Sequence, residues 1–323
     1  MATIKDVAQR SGISIKTVSR VINGVQTVRP KVRAKVEQAI RELSYRPALA
    51  ARQLATGRSL IVALIAPRHT YSYFARIMVA AAEACRSAGY HLVLEVVDSE
   101  EMERTPDWAL ILSCEPEAVI VTPPYSDNER MLTALTALGK PLVRIAGRND
   151  GIGHSVEVHD EAIVREMARY LVGKGHRTLA MIAPPRPDMP AEERLNGFRD
   201  GLAALDVPLP DAYVVRGAMT YASGEEAFKA LMLLPTRPTA IFAANDAMAL
   251  GAMAAALRRG FRVPQDVAIC GFDNSLEGQM CFPALTTVHQ PVEEITRAAV
   301  AMALGRNDEP QGFAHHIVVR ESA

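Results

Sequence analysis

Residues 3–24 read TIKDVAQRSGISIKTVSRVING, and their spacing decides how the chain begins. Thr3 is placed to cap a helix, with Asp6 three residues on, where a capping-box acid stands. Ile4, Val7 and Ala8 form an i, i+3, i+4 apolar stripe. Gly12 ends that helix, because glycine accepts the left-handed conformation of a tight turn. Ile13 packs inward, Ser14 caps a second short helix from Ile15 to Asn23, and Val18, Val21 and Ile22 form its buried side. Helix, glycine-containing turn, helix is the helix-turn-helix pattern, whose second helix enters a DNA major groove by its N-terminal end. At that end Ile15, Lys16 and Arg20 stay outside the apolar stripe. Lys or Arg reads guanine through two acceptors, and an apolar side chain meets a thymine methyl. Two surface helices without a function fit the same spacing.

Outward from this stretch, Pro30 suits the first position of a third helix. Val32, Val36, Ala39, Ile40 and Leu43 run at helical spacing towards Tyr45, and Pro47 must end the element. Ala48 to Ala55 forms at most a short helix, too short to be stable alone, and Thr56–Ser59 is a linker. The first 58 residues hold twelve basic and three acidic side chains, a balance of +9, leaving 24 basic and 33 acidic for the rest. A chain of zero net charge therefore divides into a basic head and an acidic body. The head is the electrostatic footprint of a polyanion binder, and its apolar periodicity separates it from a solvated basic arm.

From Leu60 onward, strands alternate with helices. Leu60–Ala66 is a continuous apolar run, as in a parallel strand buried on both faces. Then follow helix 72–88, strand 91–97, helix 102–114, strand 118–122, helix 128–138 and strand 141–146. A second series has helix 161–172, strand 178–183, helix 191–205, strand 213–215, helix 223–234, strand 240–243, helix 247–259 and strand 267–270. Two such series predict an α/β body of two doubly wound lobes with parallel sheets. The tail, with strand 285–288, helix 292–304 and strand 316–320, is too short for a third lobe and is expected to complete the other two.

No apolar run approaches the roughly 18–20 residues of a membrane span, and the N-terminus lacks the apolar core of a signal peptide. A cytoplasmic protein without a membrane partner is expected. Cys85, Cys114, Cys270 and Cys281 lack metal-type spacing and read as reduced core residues. The adjacent His315 and His316 would face opposite sides of a strand. Neither a metal nor a cofactor is expected, and the cluster His159-Asp160-Glu161 reads as a helix start.

The head segment, with KVEQAIRELSYRP and ARQLATGRS after it and FAANDAMALGAM, RVPQDVAICGFDN and PALTTVHQP in the body, resembles the lactose/galactose-repressor (LacI-type) family of bacterial transcription regulators along essentially the whole chain. The resemblance implies a DNA-binding head at 1–47, a hinge helix and linker at 48–58, and an effector-binding and dimerisation body at 59–323. Lobe 1 is then about 59–155 plus 291–311, and lobe 2 about 156–290 plus 312–323. Ile15 and Lys16 occupy the family's two specificity positions and Arg20 its base-reading position. Thr17, Ser19 and Asn23 match phosphate-side contacts, and Thr3, Ser14 and Tyr45 complete the DNA-binding set. Leu54 matches the leucine wedged into the minor groove and Ala51 the small residue beside it. Such a wedge unstacks a base step at a cost of roughly a few kcal/mol, which two hinge helices of a homodimer meet together on a pseudo-palindromic operator.

For the body the resemblance implies a periplasmic sugar-binding fold with a small-molecule effector between the lobes. Asp273 and Arg194 match the family's effector-binding aspartate and arginine, and Tyr73 and Phe74 a pair of aromatic residues. Asn245 and Asp246 either bond the ligand or cap a helix. Ala146 stands where an aspartate is frequent, Met219 where a stacking aromatic is frequent (with Tyr221 nearby), and Tyr71-Ser72 where Asn-Pro is usual. These departures speak against a simple hexose effector. Arg29 replaces a serine cap and Ala48 an asparagine, with a cost of roughly 1 kcal/mol for the cap. The chain ends after the last strand without a heptad tail, so a dimer is expected. The expected function is a repressor controlled by an effector. The body alone would also suit a soluble solute-binding protein, and no nucleophile–base pair or phosphate loop suggests an enzyme.

Overall fold

A computed structural model of the chain describes residues 2–22, 25, 27–45, 52–53, 56–68, 72–97, 112–185, 189–306 and 312–323. Contacts within the chain divide it into two units, Met1–Leu60 and Ile61–Ala323. The first contains α1 (Ile4–Ser11), α2 (Ile15–Ile22) and α3 (Pro30–Glu42). The capping box of α1 closes, Asp6 N donating to Thr3 Oγ1 and Thr3 N to Asp6 Oδ2. Hydrogen bonds from the Thr3 backbone and hydroxyl hold the Asp6 carboxyl below its usual range. Gly12 turns the chain at φ 68°. Val7, Val18, Val21, Val28, Val36 and Ala39 meet in the core of the unit. Arg29 makes no side-chain cap, and Pro30 opens α3 instead.

The second unit begins with β1 (Ile61–Pro67), α4 (Ser72–Ala88), β2 (His91–Val97), β3 (Ala118–Val121), α5 (Glu129–Ala137), β4 (Leu142–Ile145) and β5 (His154–Val156). The strands form a parallel sheet in the order β2-β1-β3-β4-β5. Alternation along each strand divides its side chains between two cores. Val62, Leu64 and Ile120 join the core that contains Ile77 of α4, whereas Ala63, Ile65 and Val121 join Met131 and Leu135 of α5. The second lobe follows with α6 (Glu161–Gly173), β6 (Leu179–Ala183), α7 (Met189–Ala203), β7 (Val214–Arg216), α8 (Tyr221–Leu231), β8 (Ala240–Ala243), α9 (Asp246–Arg258) and β9 (Ala268–Cys270). Its parallel order is β7-β6-β8-β9. Gly224 and Gly251 let α8 and α9 approach closely, since a Cβ on either would strike the Met248 or the Tyr221 carbonyl.

After α10 (Leu276–Met280) and β10 (Thr287–His289), α11 (Val292–Ala303) returns to the first lobe, where Val292, Ile295 and Ala299 join its core. The last strand, β11 (His316–Val318), pairs antiparallel with β10 and sets His316 opposite His289. The tail thus completes both lobes, and the chain crosses between them at 157–160, at 290–291 and between α11 and β11.

Two short elements, β5 and α10, escaped the reading by periodicity, which needs a longer window than three or five residues. Most of the helix expected over 102–114 lies outside the described residues, and Leu112, Ser113 and Cys114 are not helical. No helix among the described residues is long and apolar enough to cross a membrane.

Candidate functional site

In the first unit Val18, Val21 and Ile22 turn the apolar stripe of α2 to the core, so the start of the helix faces outward. Ile15 is 45% exposed although large and apolar, and Ser14, Lys16 and Arg20 are exposed beside it. Ser14 Oγ accepts from Thr17 N at 3.3 Å and lies 3.0 Å from the Thr17 hydroxyl. Arg20 Nη2 donates to Thr27 Oγ1 at 2.8 Å, which aims the guanidinium along the loop after α2. Ser19 is half-buried. Thr3 is engaged in its capping box, and Tyr45 packs against the small core. Asn23, Ala51 and Leu54 lie outside the described residues; Arg52, Gln53 and Thr56 are helical.

In the second unit a polar cluster gathers beyond the carboxyl ends of the strands of lobe 2. Arg194 of α7 is buried; its Nε donates to Asp160 Oδ2 at 2.7 Å and its Nη1 to the Ala244 carbonyl at 2.5 Å. The guanidinium carbon sits 3.8 Å from the centre of the Phe272 ring. Burial opposes its charge, but Asp160 and Asp273 outweigh this and raise its pKa. Asp273 follows β9 and accepts from Gln290 Nε2 at 2.7 Å. Burial pushes its carboxyl up to about 8, Arg194 notwithstanding. At neutral pH Asp273 therefore holds its proton in good part and is able to donate as well as accept. His315 stands 3.4 Å from Asp160 Oδ1, with its own pKa lowered by burial.

The remaining positions divide by what their atoms already do. Asn245 caps α9, accepting from Met248 N at 2.9 Å, and donates to the Met219 carbonyl at 3.0 Å. Asp246 is turned into the lobe, where it accepts from Ser275 N at 2.7 Å and Thr287 Oγ1 at 2.5 Å. Tyr73 and Phe74, in the first turn of α4, form an edge-to-face pair with centroids 5.2 Å apart. They are half-buried and pack on the core of lobe 1. Tyr221 receives a hydrogen bond from Arg258 at the far end of α9.

Ala146 and Met219 both take positive φ, 53° and 60°, where a side chain other than Asn or Asp is strained. Behind Ala146, Arg144 is almost fully buried and pairs with Asp127 and Asp150. This bracing orders the loop that, with Glu157, His159 and Glu193, lines a cavity of about 110 Å³.

Sequence reasoning overlooked Asp160, Phe272, Gln290 and His315. In sequence Asp160 reads only as a helix start, and it does precede α6, but its side chain makes no cap there and turns to Arg194 instead. Phe272 and Gln290 lie inside the quoted body segments, so the signal was present without a geometry to rank it. Among the described residues no group of His, Cys, Asp and Glu could hold a metal ion.

Residues 3–48 match the family described as bacterial regulatory proteins, lacI family, and residues 168–322 the periplasmic binding protein-like domain. The chain is 30% identical over 314 residues to the ribose operon repressor of Escherichia coli K12, covering 96% of this chain and 94% of that protein. It is 33% identical over 321 residues to the HTH-type transcriptional repressor PurR of Pectobacterium carotovorum, covering 99% and 94%. Among solved structures, the lac repressor dimer bound to operator and the anti-inducer ONPF aligns with a TM-score of 0.79 at 27% identity, covering 99% and 98%. A complex of the transcriptional regulator CelR with cellobiose aligns at 0.72 and 30% identity, covering 100% of both.

Proposed function

Since the chain belongs to the lacI family of bacterial regulatory proteins, we propose that it is a cytoplasmic homodimeric repressor whose hold on a pseudo-palindromic operator is set by a small molecule in the interlobe cleft. It is a DNA-binding transcriptional regulator, not an enzyme. The observation that carries the reading is the start of α2, where Ile15, Lys16 and Arg20 are presented to solvent over the buried Val18 and Val21. Lys16 and Arg20 read base edges there, Ile15 meets a thymine methyl, and Ser14, Thr17 and Ser19 lie along the phosphates. Residues 48–58, with Ala51 and Leu54, act as the hinge that orders on DNA.

In the cleft, Arg194 and Asp273 are the polar contacts and Tyr73 and Phe74 the apolar wall, while Asn245 and Asp246 brace the turns beside them. The protonated Asp273 and the neutralised Arg194–Asp160 pair favour an uncharged, hydrogen-bonding effector, a sugar or related metabolite. Ala146 offers no carboxylate to its hydroxyls. For the dimer, Met280 and Phe282 are 77% and 84% exposed beside Leu276, a patch that a monomer would leave wet. Leu94 and Val96 on the edge strand β2, with Val79 of α4, extend the apolar face of lobe 1.

Selection of duplexes from a random DNA pool by the full-length protein tests the head. Recovery of an inverted repeat is expected, and binding without sequence preference would end the reading. A thermal-shift screen of sugars and related metabolites tests the cleft, since a ligand of the folded state raises the melting temperature. A hit must be lost in Arg194→Ala and must change affinity for the selected duplex.

A further inference from the structure

Arg76 lies one turn into α4 of lobe 1, and its guanidinium leaves that lobe. Nη1 donates to the Asp273 carbonyl at 3.1 Å and Nη2 to the Gln290 carbonyl at 3.1 Å. Nε and Nη2 meet the Glu293 carboxylate at 2.8 and 2.7 Å. Asp273 belongs to the turn after β9 in lobe 2, Gln290 to the crossover, and Glu293 to the first turn of α11 on lobe 1. One side chain therefore joins both lobes and the segment that links them.

The turn that it grips is strained. Asp273 takes φ 129° and Asn274 φ 52°, both in the left-handed half of the map, and such residues persist only where the surroundings over-determine them. From within lobe 2, Asp273 N donates to Val288 O, Asn274 N to Thr287 Oγ1 and Ser275 N to Asp246 Oδ2. From lobe 1, Arg76 holds the Asp273 carbonyl, and Ser72 Oγ accepts weakly from Leu276 N at 3.4 Å. The far side of Asp273 carries the carboxyl that Gln290 holds and that lies in the field of Arg194.

We propose that Arg76 is a positioning residue of the cleft, an interlobe strap that ties the conformation of the Asp273 turn to the position of lobe 1. This rests on reading Asp273 as an effector contact. The planar fork of an arginine is what allows two carbonyls and a carboxylate to be met at once; a lysine offers one point charge. The two carbonyl bonds are already 3.1 Å long, so a shift of the lobes by less than an ångström carries them out of hydrogen-bonding range. Lobe movement is thus registered at Asp273, and by linkage a ligand on Asp273 biases the lobes equally. The half-buried ion pair with Glu293 orients the fork.

Amide hydrogen exchange on the full-length protein without added ligand tests the strap. In Arg76→Met the Asn274 and Ser275 amides are expected to exchange at least about tenfold faster, with the β3 amides of Val119 and Ile120 unchanged. Arg76→Lys, the variant that preserves charge and folding, should fall between the two. Glu293→Gln keeps the carbonyl bonds and should resemble the unsubstituted chain. Wild-type exchange at the turn in Arg76→Met would overturn the proposal, as would an increase shared equally by β3, or a Glu293→Gln variant that reproduces Arg76→Met. Because no effector enters the experiment, failure of the metabolite screen would refute the effector reading and leave this result standing.

Discussion

Replacing Asp273 with Asn should stabilise the protein, and more so at high pH. Burial raises this carboxyl from an ordinary 3.8 to about 8, with Arg194 and Gln290 opposing and Asp246 and Asp160 adding to the rise. Between those values the folded chain keeps a proton that the unfolded chain has released. Stability therefore falls as pH rises through this window, by up to about 1.4 kcal/mol per unit for a single group. Over the span from 3.8 to about 8 the ceiling is about 6 kcal/mol, and about 3 kcal/mol of it lies between pH 5 and pH 7.5. Asn is nearly isosteric and keeps an oxygen for Gln290 Nε2, so the substitution removes the titration with little change in packing. Urea unfolding of both proteins at several pH values between 5 and 8 gives the difference in stability, in which titrating groups remote from Asp273 cancel. The difference should grow in favour of Asn up to about pH 8 and then level off. A difference that stays constant across this range would refute the argument.

Three further outcomes are expected. Lys16→Ala should cost about 1–3 kcal/mol of discrimination at one base position in each half-site, read from repeated DNA selection; an equal loss on all sequences would make Lys16 a phosphate contact instead. Arg194→Met strands Asp160 in a buried site and should destabilise the body by about 3–5 kcal/mol, with Asp160→Asn in addition recovering a large part of it. If the double variant is no more stable in urea than the single one, the pair is not coupled. Gly251→Ala places a methyl on the Tyr221 carbonyl at the α8–α9 crossing and should cost about 1–3 kcal/mol through overpacking, whereas Ala254→Gly on the same helix should cost about 1 kcal/mol from backbone entropy alone.

Much of the molecule is determined by local sequence. The capping box Thr3–Asp6, the turn at Gly12 and the Pro30 start are set by interactions three or four residues long, so the head could be read from spacing alone. The same holds for β1, β3 and β8, continuous apolar runs of the kind that a strand buried on both faces carries. The basic balance of the first 58 residues likewise names a polyanion partner before any fold is known.

What the tertiary structure decided is which polar groups meet. Arg194 lies 34 positions from Asp160, and Arg76 lies 197 from Asp273 and 217 from Glu293, and nothing in their neighbours' spacing connects them. Their encounters depend on how the chain crosses between the lobes, a long-range matter that periodicity does not encode. The roles of the carboxylates follow from the same cause. Asp246 and Asp273 both follow apolar strands, look alike in sequence and have carboxyls that burial raises, yet one accepts from Ser275 and Thr287 inside the lobe while the other accepts from Gln290 at the crossover. Even the start of α2 gains its exposure from packing: Ile15 is open to solvent because Val18, Val21 and Ile22 face the core beneath it.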